Sequence, residues 1–448
     1  MKYHVIGPSP LEKGVWLVYL PYANSLVEID EDTGERLWEC EHFNKCEGIG
    51  HILKELDAVK PNSIRSIPQS PNPTNLYIMV SGICNLSCAY CFANQGNYGV
   101  KKYSKLIEEK VIRRIPEVLS AFSAIRSIAF FGGEPLLAYK YIEKIIKEIE
   151  KIGNFELNII TNGTILNSNI IELLKTYHFR VTVSIDGWKI VHDLNRKTLK
   201  GNGSFDIIIK NLNIIKSNKL PLKIEATYHL DLYKYGVTPY KVALYLSKLN
   251  QLLYVKPATV FETNKNRYQP SHHSFLTSLY LYGEYLVNSL WELTKTNASF
   301  LEETILHILS MLTNRTSRAF RCNFYKYLTL FPNGDLYTCH ILATKQETLG
   351  YLGNIALHNA ETLWRNYITT VEKMKNNVVA SKPYHQLFDD CPASDPLYSR
   401  FEDHYQYIFD NLLVTYYIIN QTGQLVQVLN NIKRLHPVPS AIQIQITS

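Results

Sequence analysis

Three of the chain's eight cysteines fall close together in "SGICNLSCAYCFANQGNYG" (Ser81–Gly99), as Cys84, Cys88 and Cys91. The spacing is C-x3-C-x2-C. A structural zinc site generally takes four ligands, often as two separated pairs. Here no fourth Cys or His is near, since the next histidine is His178. A redox dithiol would use Cys88 and Cys91 and leave Cys84 without a task. Three thiolates on a cubane 4Fe–4S cluster leave its fourth iron open to a further ligand, a chemical reason for three cysteines rather than four. Zinc and plain packing are the competing readings.

Other chemistry-bearing residues stand at the ends of apolar runs. "FFGGEP" places Gly132 and Gly133 where backbone approaches closely, and Glu134 where a carboxylate can pair with an amino group. "IITNGT" brings Thr161 and Asn162, and "VSIDG" brings Ser184 and Asp186. Taken singly, each is an ordinary turn or cap residue. Residues 75–240 alternate strand-length apolar runs with helical patterns of ten to eighteen residues. That rhythm predicts successive βαβ units, a parallel sheet and an α/β barrel with its chemistry at the strand ends.

C-x3-C-x-aromatic-C, with Tyr90 as the aromatic, resembles the signature loop of the radical S-adenosylmethionine (radical SAM) superfamily. "FFGGEP", "TNG" and "VSIDG" resemble that family's later motifs in order and spacing. "VHDLNRKTLKGNGSF" resembles a segment of its peptide-modifying branch. The resemblance implies a partial (β/α)6 TIM-like barrel and a 4Fe–4S cluster on Cys84, Cys88 and Cys91. The open iron would chelate SAM, and one electron would release a 5′-deoxyadenosyl radical. Tyr90, Gly132, Gly133, Glu134, Thr161, Asn162, Ser184 and Asp186 would bind SAM, with Arg196 as the carboxylate partner.

Further on, Cys322 and Cys339 frame C-x11-G-x4-C around Gly334, in an expected hairpin whose turn is "PNGD". This resembles the opening of a SPASM or twitch extension, which holds auxiliary clusters. A full SPASM domain continues with several more cysteines, and here only Cys391 comes after. Three cysteines exclude two full auxiliary clusters. One cluster on Cys322, Cys339 and Cys391 is the expectation, with His340 or Asp390 as neighbouring candidates for its fourth site, against cysteines that merely pack. Cys40 and Cys46 are read as packed or exposed thiols rather than ligands.

The expected organisation is a small β-plus-helix, winged-helix-like unit over 1–70, the core barrel over 75–240, a helical bridge over 241–320 and the twitch-like extension over 321–448. In the first unit "DTG" reads as a turn between extended runs, and "KPNSIRSIPQSPNPTN" as a linker. Such a layout resembles maturases of ribosomally made peptides, whose first unit adds an extended leader peptide to its sheet. A precursor peptide and a reductant such as flavodoxin or ferredoxin are the implied partners. "CFANQGNYG" also resembles thioether-forming maturases. A sulfatase-maturase-like oxidase of a folded protein and a radical peptide epimerase are the alternatives.

Composition narrows the field further. The net charge of +7 is small for 448 residues, and its lysines and arginines are dispersed, against a nucleic-acid partner. No run approaches the ~18 apolar residues of a membrane helix, and the N-terminus lacks the apolar core of a signal peptide. A cytoplasmic, reducing setting is the resulting expectation, where clustered cysteines suggest metal before disulfide.

Overall fold

The computed structural model describes residues 3–65, 71–98, 105–258, 270–318, 322–344, 350–375 and 402–436. Period-two alternation in the first unit becomes three antiparallel strands in the order β1 (His4–Pro8), β2 (Val15–Leu20), β3 (Ser25–Asp30). "DTG" is no turn. The Asp30 carboxylate accepts the Thr33 N–H at 2.9 Å and caps the helix Glu31–Phe43. Glu31 and Asp32 fill its first turn, where the helix dipole favours anions. Cys40 and Cys46 are joined by a disulfide across the end of this helix, which corrects the reading of two unpaired thiols.

Nor does this unit stand apart. It has a small core of its own around Val5, Val18, Leu20 and Leu37, but Tyr19 packs into the main core. The Asn24 carboxamide donates to the carbonyls of Met311 (3.1 Å) and Thr316 (2.8 Å). Within the supposed linker, β4 (Ser63–Arg65) lies parallel to β12 (Thr316–Arg318) as a separate two-stranded sheet.

The large sheet carries the barrel. Its parallel strands run in chain order: β5 (Asn75–Ser81), β6 (Ser127–Gly132), β7 (Glu156–Thr161), β8 (Arg180–Ser184), β9 (Leu222–Tyr228), β10 (Leu252–Pro257) and β11 (Leu301–Glu302). Placing each strand beside its predecessor is what repeated one-handed βαβ crossovers produce. Val181 and Val183 of β8, and Ile224 and Ala226 of β9, are buried in the core. The alternate positions Thr182, Ser184, Lys223 and Glu225 occupy the other face of the sheet and are less buried. The sheet does not stop at residue 240: β10 and β11 come from the segment expected to be a helical bridge. "LLYVKP" within it is a strand-length apolar run masked by the helices Pro239–Leu246 and His272–Glu292 on either side.

On its other side β5 pairs in parallel with β13 (Tyr327–Leu330), which turns back through the PNGD loop to β14 (Asp335–Tyr337) and then β15 (Tyr351–Asn354). Gly334 takes the positive φ (+93°) this turn requires. The expected hairpin is present, and it extends the barrel's own sheet. The helix Glu402–Gln421 packs along His272–Glu292 and reaches the N-terminal unit.

Candidate radical site at the strand ends

The cysteine loop leaves β5 at Ser81 and is held from two sides. On one, Gly133 N–H donates to the Ser81 carbonyl (2.8 Å) and Glu134 N–H to the Ile83 carbonyl (3.0 Å). A β-carbon on Gly132 would run into the Ser81 carbonyl, and one on Gly133 into the Ile83 carbonyl and the Cys84 nitrogen. The two glycines therefore let β6 abut the cysteine loop itself. On the other side Ser87 N–H donates to the Lys197 carbonyl (2.7 Å), Ala89 N–H donates to the Asn195 carbonyl (3.1 Å), and Leu86 bridges Thr198. Nothing in local periodicity marks residues 195–198 as the loop's second wall.

Glu134 is fully buried. Its carboxyl accepts the Thr161 hydroxyl and Asn162 N–H, both at 2.7 Å, and Leu136 N–H at 3.0 Å. Burial pushes its pKa up to about 7, while these donors pull it down. Asn162 in turn donates from its carboxamide to Asn85 (2.9 Å) and to the Cys84 sulfur (3.7 Å). The Thr164 hydroxyl joins Asn162 and Asn85 into one network. Glu134 thus ties three strand ends together.

Asp186 is the second hub. It accepts from the Tyr90 hydroxyl, from Arg196 Nε (2.9 Å) and from Thr227 N–H (2.9 Å). The Arg196 guanidinium lies 5.5 Å from the centre of the Tyr90 ring. Burial works against the Arg196 charge, yet Asp186 outweighs it and holds the pKa well above the ordinary arginine value. Beneath this hub His192 is buried, and burial lowers its pKa to about 4. Its Nδ1 accepts Asp186 N–H (3.3 Å), so the proton sits on Nε2 and is donated to the Ser204 hydroxyl (3.0 Å). That hydroxyl donates to the Arg196 carbonyl at 2.7 Å. One tautomer satisfies every group.

Cys84, Cys88 and Cys91 are all partly buried, and the Leu86 and Gln95 N–H groups donate to the sulfurs of Cys84 (3.4 Å) and Cys91 (3.3 Å). Burial pushes the Cys84 thiol up to about 11 and Cys88 up to about 12. Thiols so placed become thiolates when a bound cation compensates them. Among the described residues no three His, Cys, Asp or Glu are arranged around a single ion. The donor set, three soft sulfurs on one loop with N–H groups aimed at two of them, fits a cluster.

Ser184 lies beside Glu225 in the sheet register. The Glu225 carboxylate pairs with Lys256 at 2.5 Å, and burial, which works against its charge, is outweighed by that lysine, leaving its pKa below the usual carboxylate range. This charged pair has no signal in the sequence. Cys322 and Cys339 lie before and after the β13–β14 hairpin, partly buried against the main core. His340 is ringed by Tyr77, Phe92 and Phe131 at 5.7–6.0 Å. Cys391 and Asp390 lie outside the described residues.

Residues 78–232 match the family model of the Radical SAM superfamily. The chain carries a radical SAM domain. The cysteine-type anaerobic sulfatase-maturating enzyme of Clostridium perfringens is 32% identical over 161 residues, covering 34% of this chain and 43% of its own length. The radical SAM cyclopropyl synthase TigE of Paramaledivibacter caminithermalis is 26% identical over 243 residues, half of each chain. The chain thus spans about half the length of the curated relatives it matches. The structure of anSMEcpe with bound AdoMet superimposes with a TM-score of 0.59 at 21% identity, covering 77% of this chain and all of that one. The likeness in fold therefore extends beyond the matched segment. Among the described residues no helix is long and apolar enough to cross a membrane.

Proposed function

We propose that this protein is a radical SAM maturase that modifies a ribosomally made precursor peptide. Cys84, Cys88 and Cys91 would hold the 4Fe–4S cluster. With SAM bound there, the cluster would supply radical chemistry able to take a hydrogen atom from the substrate. The observation that carries this reading is the cysteine loop held between Gly133–Glu134 and residues 195–198, directly against the buried Asp186–Arg196–Tyr90 hub. The chain's own part is to hold three thiolates, keep the loop rigid, and set a fixed positive and negative charge beside it. Tyr90, Gly132, Gly133, Glu134, Thr161, Asn162, Ser184, Asp186 and Arg196 would form the SAM side of this site. Glu134 and Arg196 act there with internal partners already engaged.

The peptide reading rests on the N-terminal sheet. The β1 edge is blocked at Val5, whose N–H donates to the Glu41 carboxylate at 2.8 Å. β3 is the opposite outer strand and its residues are half-buried or exposed, so an extended leader would add there. An oxidase acting on a folded protein is the second reading, favoured by the sequence likeness to sulfatase-maturating enzymes. The test is anaerobic: reconstituted protein, SAM and dithionite, with and without a short precursor peptide encoded beside it. Formation of 5′-deoxyadenosine, a changed peptide mass and slowed amide exchange over residues 25–30 are expected. Deoxyadenosine without exchange protection or peptide modification would sink the peptide reading in favour of the oxidase.

We also assign Cys322, Cys339 and Cys391 to one auxiliary cluster. Roughly eight irons per chain are then expected, falling to about four in the triple alanine variant. Four in both proteins would leave these cysteines as packing residues.

A further inference from the structure

A surface beside the cysteine loop has no role in the site so far. Ile190 and Leu194 stand one helical turn apart on Lys189–Asn195 and are 79% and 47% exposed, and Leu199, just beyond, is 63% exposed. Isolated exposed apolar residues need no explanation, but three within ten residues, where Leu194 and Leu199 flank the loop's second wall, do. The rim is basic. Lys197, Lys200 and Lys210 are exposed, and among the described residues none of them has an ion pair. The nearby carboxylates are committed: Asp206 pairs with Lys189, and Asp193 accepts Ser204 and Phe205 N–H at 2.8 and 2.9 Å.

Position sets this patch apart. Leu194 precedes Asn195, whose carbonyl accepts Ala89 N–H, and Ala89 is next to Cys88. Two residues, Asn195 and Ala89, and one hydrogen bond separate the exposed Leu194 from Cys88. We infer that this patch is the docking surface for a small acidic electron-carrier protein of the flavodoxin or ferredoxin class. This rests on the proposed radical SAM chemistry, which consumes one electron for each SAM cleaved. The reduced carrier loses that electron and becomes one-electron oxidised, and the cluster bound by Cys84, Cys88 and Cys91 gains it. An apolar centre excludes water from the contact, and lysines around it steer an acidic partner and make its association salt-dependent.

The experiment uses reconstituted holoenzyme and a purified flavodoxin. Binding is measured by calorimetry at two salt concentrations, for wild type, for Ile190→Glu/Lys200→Glu and for the milder Leu199→Ser. At low salt the double variant should bind at least ten-fold more weakly, with less salt dependence, and Leu199→Ser should lie between. With flavodoxin as the only reductant, deoxyadenosine formation should fall by a similar factor. With dithionite, which needs no docking site, it should stay at the wild-type rate. Unchanged flavodoxin affinity in both variants overturns the proposal, and so does weakening confined to precursor-peptide binding. If iron-loaded wild type makes no deoxyadenosine even with dithionite, the enzymatic reading fails, while the binding data still judge the surface.

Discussion

Asp186 shows how much one side chain can carry. It receives a phenol, a guanidinium and a backbone N–H while almost fully buried. A buried charge pair contributes little against an apolar replacement, but removing one partner strands the other. Asp186→Asn keeps the shape and leaves the Arg196 charge buried without its counter-ion. Its unfolding free energy in urea should drop by about 3–5 kcal/mol, whereas Ser184→Ala should cost less than about 1 kcal/mol. Equal losses would mean that Asp186 is no hub. The residue types at these positions are legible in the sequence, because "VSIDG" and "FFGGEP" stand out at strand ends. Their partners are not. Glu134 and Arg196, expected to reach toward SAM, also brace the chain, since buried charges need partners with or without a ligand.

At the scale of elements, Gly132 and Gly133 join two strands by the absence of side chains. Gly133→Ala drives a methyl group into the Ile83 carbonyl and the Cys84 nitrogen, both backbone atoms. The loop must shift, at a cost of about 1–3 kcal/mol. Reconstituted Gly133→Ala should lose most of the irons of the Cys84–Cys88–Cys91 site and fall toward half the wild-type content, whereas Gly153→Ala, with open space around its β-carbon, should load fully. Equal iron in both variants would contradict the bracing role. Strand and helix alternation is readable over 75–240 because each βα unit has local periodicity. It is lost in β10 and β11, short runs between long helices. "DTG" misleads for a similar reason: Asp and Gly commonly mark turns, yet Asp32 to Gly34 lie inside the helix that begins at Glu31 and is capped by Asp30.

For the molecule as a whole, the N-terminal unit is clasped rather than tethered. His4 of β1 bonds Glu41 through Nδ1 and Asp410 of the C-terminal helix through Nε2, both at 2.9 Å. Tyr19 packs edge-on against Phe409, and Gln421 reaches Glu28. Burial opposes the His4 charge, yet the two carboxylates raise its pKa from 6.5 to about 9. A raised folded-state pKa gives stability that is fully present below pH 6.5 and lost as pH rises through about 9. The difference corresponds to about 3 kcal/mol. The melting temperature of the wild type should therefore fall between pH 6.5 and 9 relative to His4→Gln, which lacks the titrating group. Parallel profiles for the two proteins would exclude the clasp. This contact also makes removal of residues 1–70 a poor probe of leader binding, because the cut would expose core and take His4 from Asp410, leaving it only Gln406.

The sequence by itself determined the chemistry on offer: three thiols at cluster spacing, a double glycine before a glutamate, and polar residues at successive strand ends. Those signals are local, carried by residue type and short spacing, and backbone periodicity orders them along the chain. Only the tertiary structure decided what holds them. Residues 195–198 as the loop's second wall, the Glu225–Lys256 pair, the Cys40–Cys46 bridge and the His4–Asp410 clasp join side chains or segments whose partners nothing in their spacing announces. In three of these four the partners are from thirty to four hundred residues apart. Cys40 and Cys46 are near in sequence, but the spacing of two thiols leaves open whether they bond. A buried polar group must find a partner, and which partner it finds is settled only when the sheet is assembled.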